Sequence, residues 1–180
     1  MKKQGANRRE KIMEAALLLF SVKGYADTST KLIAKEANVS EALIFKHFEN
    51  KDKLLFHLIK SGYRRVLVQN KGMLTYHDPK SFLRYMIDLP KKLVSEEPLF
   101  WKLQERLSHH EFSKQQHILF MKPVDTVVNK AFTELGMENP ALETQFLLLL
   151  IDTLWKKEAT GDMENIDEIA RLIKMKYGLE

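Results

Sequence analysis

The sequence predicts an all-α fold of about nine helices, and three observations lead there. Gly supplies only 7 and Pro only 5 of the 180 residues, too few for the many tight turns of an all-β chain. Apolar residues recur at three- and four-residue spacings along most of the length, the period of a helix with one buried face. The composition, 44% hydrophobic and 29% charged, is that of an ordinary folded chain, and at this length roughly 70% of the unfolded surface can be buried without staples. There is no cysteine, which excludes a disulfide scaffold, a cysteine nucleophile, a zinc finger and an iron–sulfur site.

Each element has its own signal. Ile12, Ala16, Leu19 and Phe20 mark the first helix, with Asn7 as its N-cap and Gly24 placed to end it in a left-handed conformation. Thr28, Ser29 and Thr30 offer hydroxyl caps for a short second helix carrying Leu32, Ile33, Ala34 and Ala37, which ends near Asn38. Ser40 caps a third helix, with Glu41 in its positive first turn. On that helix Ile44 and Phe48 point one way, Ala42 and Lys46 point the opposite way, and Leu43 and Phe45 flank them. Asn50 opens a fourth helix with Leu54, Leu55, Leu58 and Ile59, running on to about Met73.

Pro79 starts a fifth helix, which Pro90 ends or kinks, and Pro98 starts a sixth. Residues 114–135 form a seventh, kinked at Pro123, followed by helices over roughly 141–159 and 164–177. The run Phe146 to Ile151 is apolar around its whole circumference and is expected to be buried on more than one side. It is six residues long, against the roughly 20 of a membrane span. The basic start, Met1 to Gln4, is not followed by a clean apolar stretch, so no signal peptide and a cytoplasmic location are expected, at the nucleoid when DNA is bound.

Charge is unevenly spread. Residues 1–65 carry 14 Lys and Arg against 7 Asp and Glu, whereas residues 66–180 carry 15 against 17. All the positive excess thus lies in the first third, the footprint of a polyanion binder. There it coincides with two short helices joined at Asn38-Val39-Ser40, a helix-turn-helix arrangement whose second helix can enter a DNA major groove. No Gly-rich phosphate loop and no nucleophile elbow is present, so no catalytic residue, enzyme activity or cofactor is expected. His109, His110, Glu111 and His117 lie close in sequence, and Glu105 and His109 stand one helical turn apart, but no His-Glu-x-x-His and no Glu-x-x-His pair is present, so no metal is expected either.

Over Arg8 to Leu58 the sequence resembles the DNA-binding domain of the TetR (tetracycline-repressor) family. The matching residues are Ile12, Ala15, Ala16, Leu19, Phe20, Gly24, Tyr25, Thr28, Ser29, Ile33, Ala34, Ala37, Val39, Ser40, Lys46 to Phe48, and Asn50 to Leu55. Asn38 and Ala42 stand where that family often has Gly, Leu43 where it often has Thr, and Phe45 where it often has Tyr. The last two changes remove phosphate hydrogen bonds and offer apolar groups to thymine methyls instead.

The resemblance implies a domain 1–50 that binds DNA, with its helix-turn-helix at about 29–48. A helix starting near residue 51 joins it to a body, 51–180, that binds an effector and dimerises. Ser29, Thr30 and Lys31 would meet backbone and bases; Ser40, Glu41, Ala42, Leu43, Phe45, Lys46 and His47 would enter the major groove; and Lys51 would meet a phosphate. It further implies a homodimer on a near-palindromic double-stranded operator, and repression released by a small ligand. The aromatic and methionine residues of the body suggest an apolar effector, touching Phe82, Tyr85, Met86, Phe100, Trp101, Gln104, His110, His117, Phe120 and Met121. The dimer surface is expected at Phe146, Leu149, Leu150, Leu154, Ile166, Ile169 and Ile173. The other reading of the body is one that only dimerises or binds a protein.

Overall fold

A computed structural model describes the backbone of residues 2–180 and the side chains of residues 7–180; Met1, part of the basic start noted above, lies outside the described residues. The described residues form nine helices: α1 (Lys2–Lys23), α2 (Thr30–Glu36), α3 (Glu41–Phe48), α4 (Lys51–Gln69), α5 (Pro79–Glu96), α6 (Pro98–Arg106), α7 (Glu111–Glu134), α8 (Pro140–Thr160) and α9 (Ile166–Lys176). Asn7 is not the N-cap of α1 but an exposed residue inside it. Once Ile12, Ala16 and Phe20 are buried and anchor the helix, extending it backward costs only propensity, because the nucleation cost is already met.

The first three helices close around a small core in which Ile12, Phe20, Ile33, Ile44 and Phe48 are almost completely buried. The turn from α2 to α3 is a Schellman motif. Asn38 has φ 52°, the Val39 N–H donates to Ala34 O at 3.0 Å, and the Asn38 N–H donates to Lys35 O at 3.2 Å. The turn from α3 to α4 is tighter. Glu49 has φ 66° and ψ −48°, and the Asn50 N–H donates to Phe48 O at 2.7 Å, a γ-turn of the rare, strained hand. Ser29 and Asn50 act as the expected caps, accepting from the N–H groups of Leu32 and Lys53. Ser40 holds the N-cap position of α3 but its hydroxyl makes no capping bond.

α4 carries the chain from this unit into a body of five further helices. Its approach to α6 depends on Gly62: a Cβ there would lie 2.1 Å from the Phe100 ring. Pro90 and Pro123 do not end α5 and α7, which run on to Glu96 and Glu134. The run 146–151 is not buried all round: Leu147 and Ile151 face the core, whereas Phe146 and Leu149 are 50% and 67% exposed. No helix among the described residues is long and apolar enough to cross a membrane.

Candidate nucleic-acid interface

The candidate interface is built from the N-terminal ends of α2, α3 and α4. Ile44 and Phe48 fix α3 to the core, and the face opposite them is open, with Ala42, Phe45 and Lys46 exposed and Leu43 and His47 half-buried. Phe45 is 45% exposed on a helix only eight residues long. Lys31 is exposed in the first turn of α2. The Thr30 hydroxyl donates to a Glu41 carboxylate oxygen at 2.5 Å, so the starts of α2 and α3 are held to one another.

Lys51 sits differently from a plain surface cation. Its ammonium donates to the carbonyls of Tyr25 and Thr28 at 2.9 and 3.1 Å and lies 4.2 Å from the centre of the Tyr25 ring. The Tyr25 hydroxyl donates to Asp52, and burial together with that carboxylate raises its pKa. Lys51 therefore clamps the α1–α2 loop to the start of α4. The Tyr25 ring also meets His110 edge-on at 5.9 Å, which brings the α6–α7 turn against this unit.

The body contains a second feature, a cleft of about 730 Å³ between α6, α7 and α8. Its floor is a polar network. The Tyr63 hydroxyl on α4 and the Ser113 hydroxyl both donate to Gln104 Oε1, at 3.0 and 2.9 Å, and Tyr63 lies 3.1 Å from His117 Nδ1. On the other side of His117, Nε2 is 3.5 Å from Asp152, which accepts from Trp155 Nε1 at 3.0 Å and Lys156 Nζ at 2.6 Å. Burial pushes the Asp152 carboxyl up, but His117, Lys156 and Trp155 outweigh it and hold it down to about 2. Gln104 Nε2 is buried and has no hydrogen-bond partner among the described residues.

Of the residues expected to touch an effector, Gln104, His117 and Met121 line this cleft. Met86, Trp101 and Phe120, again with His117 and Met121, line an adjoining apolar void of about 40 Å³. Phe82 instead stacks on Tyr76, Phe100 packs on Gly62, His110 faces Tyr25, and Tyr85 lines neither space. Sequence reading missed Tyr63, Ser113, Asp152, Trp155 and Lys156. A lone carboxylate directly after a six-residue apolar run was the available sign, since a half-buried acid needs partners.

Of the residues expected at a dimer surface, Phe146 and Leu149 are exposed, and Leu150, Ile166 and Ile169 are half-buried. Leu154 and Ile173, each 4% exposed, point into the chain's own core instead, because the inward stripes of α8 and α9 include them. Leu142, Leu172 and Met175, which were not in that set, are also exposed.

A helix-turn-helix unit with an open basic recognition face, set on a separate helical body, defines the class of helix-turn-helix regulators. Residues 12–58 match the sequence model for bacterial regulatory proteins of the tetR family. The chain is 44% identical over 66 residues to YvkB of Bacillus subtilis strain 168, an uncharacterized HTH-type transcriptional regulator, a match covering 35% of each protein. The match thus spans about a third of that relative's length. Among solved structures, a TetR-like transcriptional regulator from Rhodococcus superimposes with a TM-score of 0.72 at 20% identity, covering 93% of this chain and 91% of the other. The regulator FadR of Bacillus subtilis, solved with stearoyl-CoA, gives 0.71 at 18% identity, covering 92% and 95%. The stretch that matches the tetR family is thus residues 12–58.

Proposed function

We propose that this chain is a homodimeric transcriptional repressor that binds a near-palindromic double-stranded operator and releases it on binding a small apolar effector. The observation that carries the reading is α3, whose exposed face of Ala42, Phe45 and Lys46 stands opposite a fully buried anchor of Ile44 and Phe48. In this reading residues 1–50 form the DNA-binding domain and 51–180 the body. Ser40 to His47 enter the major groove, Phe45 and Leu43 meet thymine methyls, and Ser29, Thr30 and Lys31 meet the backbone and neighbouring bases. Lys51 acts by holding the start of α4, whose free N–H groups receive a phosphate.

Two copies join through α8 and α9, where Leu142, Phe146 and Leu149 form one exposed apolar stripe and Leu172 and Met175 another. That symmetry sets two α3 helices about 34 Å apart, one turn of DNA. The effector lies in the α6–α7–α8 cleft, its apolar part against Met121, Leu148 and Trp155, and a hydrogen-bond acceptor against Gln104 Nε2. The FadR structure, solved with stearoyl-CoA, supports a ligand that carries a long apolar chain for such a body.

Retardation of fragments of the source genome tests the DNA half of the proposal, and a ligand-screened thermal shift tests the effector half. Retarded fragments whose complex no apolar compound dissociates would favour the second reading, a DNA-binding dimer without an effector.

A further inference from the structure

We propose that the cleft between α1, α4 and α7 is a second small-molecule site, and that it takes an anionic amphiphile with a phosphate or carboxylate head and an apolar tail. This cleft, of about 610 Å³, is lined by Arg9, His57, Lys60 and Arg64 and by no acidic residue. None of the three permanent cations forms an ion pair among the described residues. Arg9 lies over the Phe48 ring at 5.0 Å and Lys60 over the Phe56 ring at 4.3 Å, contacts that place the charges without neutralising them. His57 reports the resulting potential: burial lowers its pKa, and Arg9, Lys53 and Lys60 lower it further, with only Glu49 opposing.

The rest of the wall is apolar. Leu67 and Leu119, 45% and 63% exposed, stand beside the cations with Met13 and Phe120. Uncompensated cations next to exposed leucines fit a ligand that carries both an anionic group and a hydrocarbon group. Duplex DNA does not fit as the source of the anion. Arg64 lies thirteen residues beyond Lys51 on α4, roughly 20 Å up the helix from the end beside α3.

The site is distinct from the α6–α7–α8 cleft: the stacked Tyr63 and Phe120 rings, 4.7 Å apart, stand in its wall, and Tyr63 turns its hydroxyl the other way, toward Gln104 and His117. It also reaches the recognition helix. Arg9 covers Phe48, the last residue of α3, and the His57 ring meets Phe48 at 5.6 Å. An anion that draws Arg9 off Phe48 acts directly on the end of α3.

Calorimetry of the full chain with decyl phosphate, decanol and inorganic phosphate, all below micellar concentrations, tests the proposal. Decyl phosphate is expected to bind about tenfold or more tightly than decanol or inorganic phosphate, and Lys60→Ala/Arg64→Ala is expected to weaken it about tenfold with an unchanged melting curve. Met121→Trp, which fills the other cleft, is expected to leave it unchanged. Equal affinity for decanol, loss of binding in Met121→Trp, or unaltered binding in the double variant would each overturn the site.

Discussion

Tyr63 and His117 meet at 3.1 Å between hydroxyl and Nδ1, which links the helix leaving the helix-turn-helix unit to the floor of the α6–α7–α8 cleft. Tyr63 is buried on α4, so a ligand that displaces His117 must also change what Tyr63 bonds to. Tyr63→Phe keeps the ring stacking but cuts this link. We expect effector affinity to change little and its effect on DNA affinity to shrink. A tenfold effector response corresponds to ~1.4 kcal/mol of coupling, and retardation assays with and without effector read the loss directly.

Asp152 makes acid stability a test of the same network. Its carboxyl is held at about 2, below its ordinary 3.8, so the stabilisation is fully present above pH ~4 and is lost as pH falls toward 2. Asp152→Asn should cost about 1–2 kcal/mol at pH 7 and flatten the decline of melting temperature between pH 4 and 2. An unaltered acid limb would show that the carboxylate is not held by His117, Lys156 and Trp155.

Gly62 should not tolerate a side chain. The Phe100 ring occupies the space a Cβ would need, so Gly62→Ala should destabilise by about 1–3 kcal/mol despite the better helix propensity of Ala. Adding Phe100→Leu should restore part of the loss. Chemical denaturation of the two variants measures both effects.

Lys51→Met separates clamping from phosphate contact. Losing two charged hydrogen bonds to the Tyr25 and Thr28 carbonyls should lower stability by about 1–3 kcal/mol and weaken binding to all DNA sequences alike. A variant that melts like the parent would show that the clamp contributes nothing. Glu49→Gly should act in the opposite sense, since the γ-turn at φ 66° stores strain of about 1–3 kcal/mol that Gly largely avoids.

Local signals were legible in the sequence, and contacts between distant residues were not. Asn38 announced its left-handed turn and Ser29 and Asn50 their caps, because each acts on backbone within a few residues. The γ-turn at Glu49 carries no residue preference to announce it; it is imposed by the burial of Phe48 and Leu54 on either side. Nothing local to Gly62 signals its role, because the Phe100 ring that needs the space lies 38 residues further along the chain. The Tyr63–Gln104 bond joins residues 41 apart, and no periodicity encodes such a pair. Leu154 and Ile173 were assigned outward because an apolar stripe does not say which neighbour covers it.

Two α3 helices are expected to read one duplex, and a salt series of fluorescence anisotropy tests this most directly. The full chain would be titrated onto a duplex selected from its genome and onto a scrambled duplex. We expect two chains per duplex, preference for the selected sequence that Lys46→Ala relaxes without changing the melting temperature, and a linear fall of log K with log salt. Each phosphate neutralised adds about −0.9 to that slope. Affinity independent of salt and equal for the scrambled duplex, unchanged in Lys46→Ala, would contradict the account.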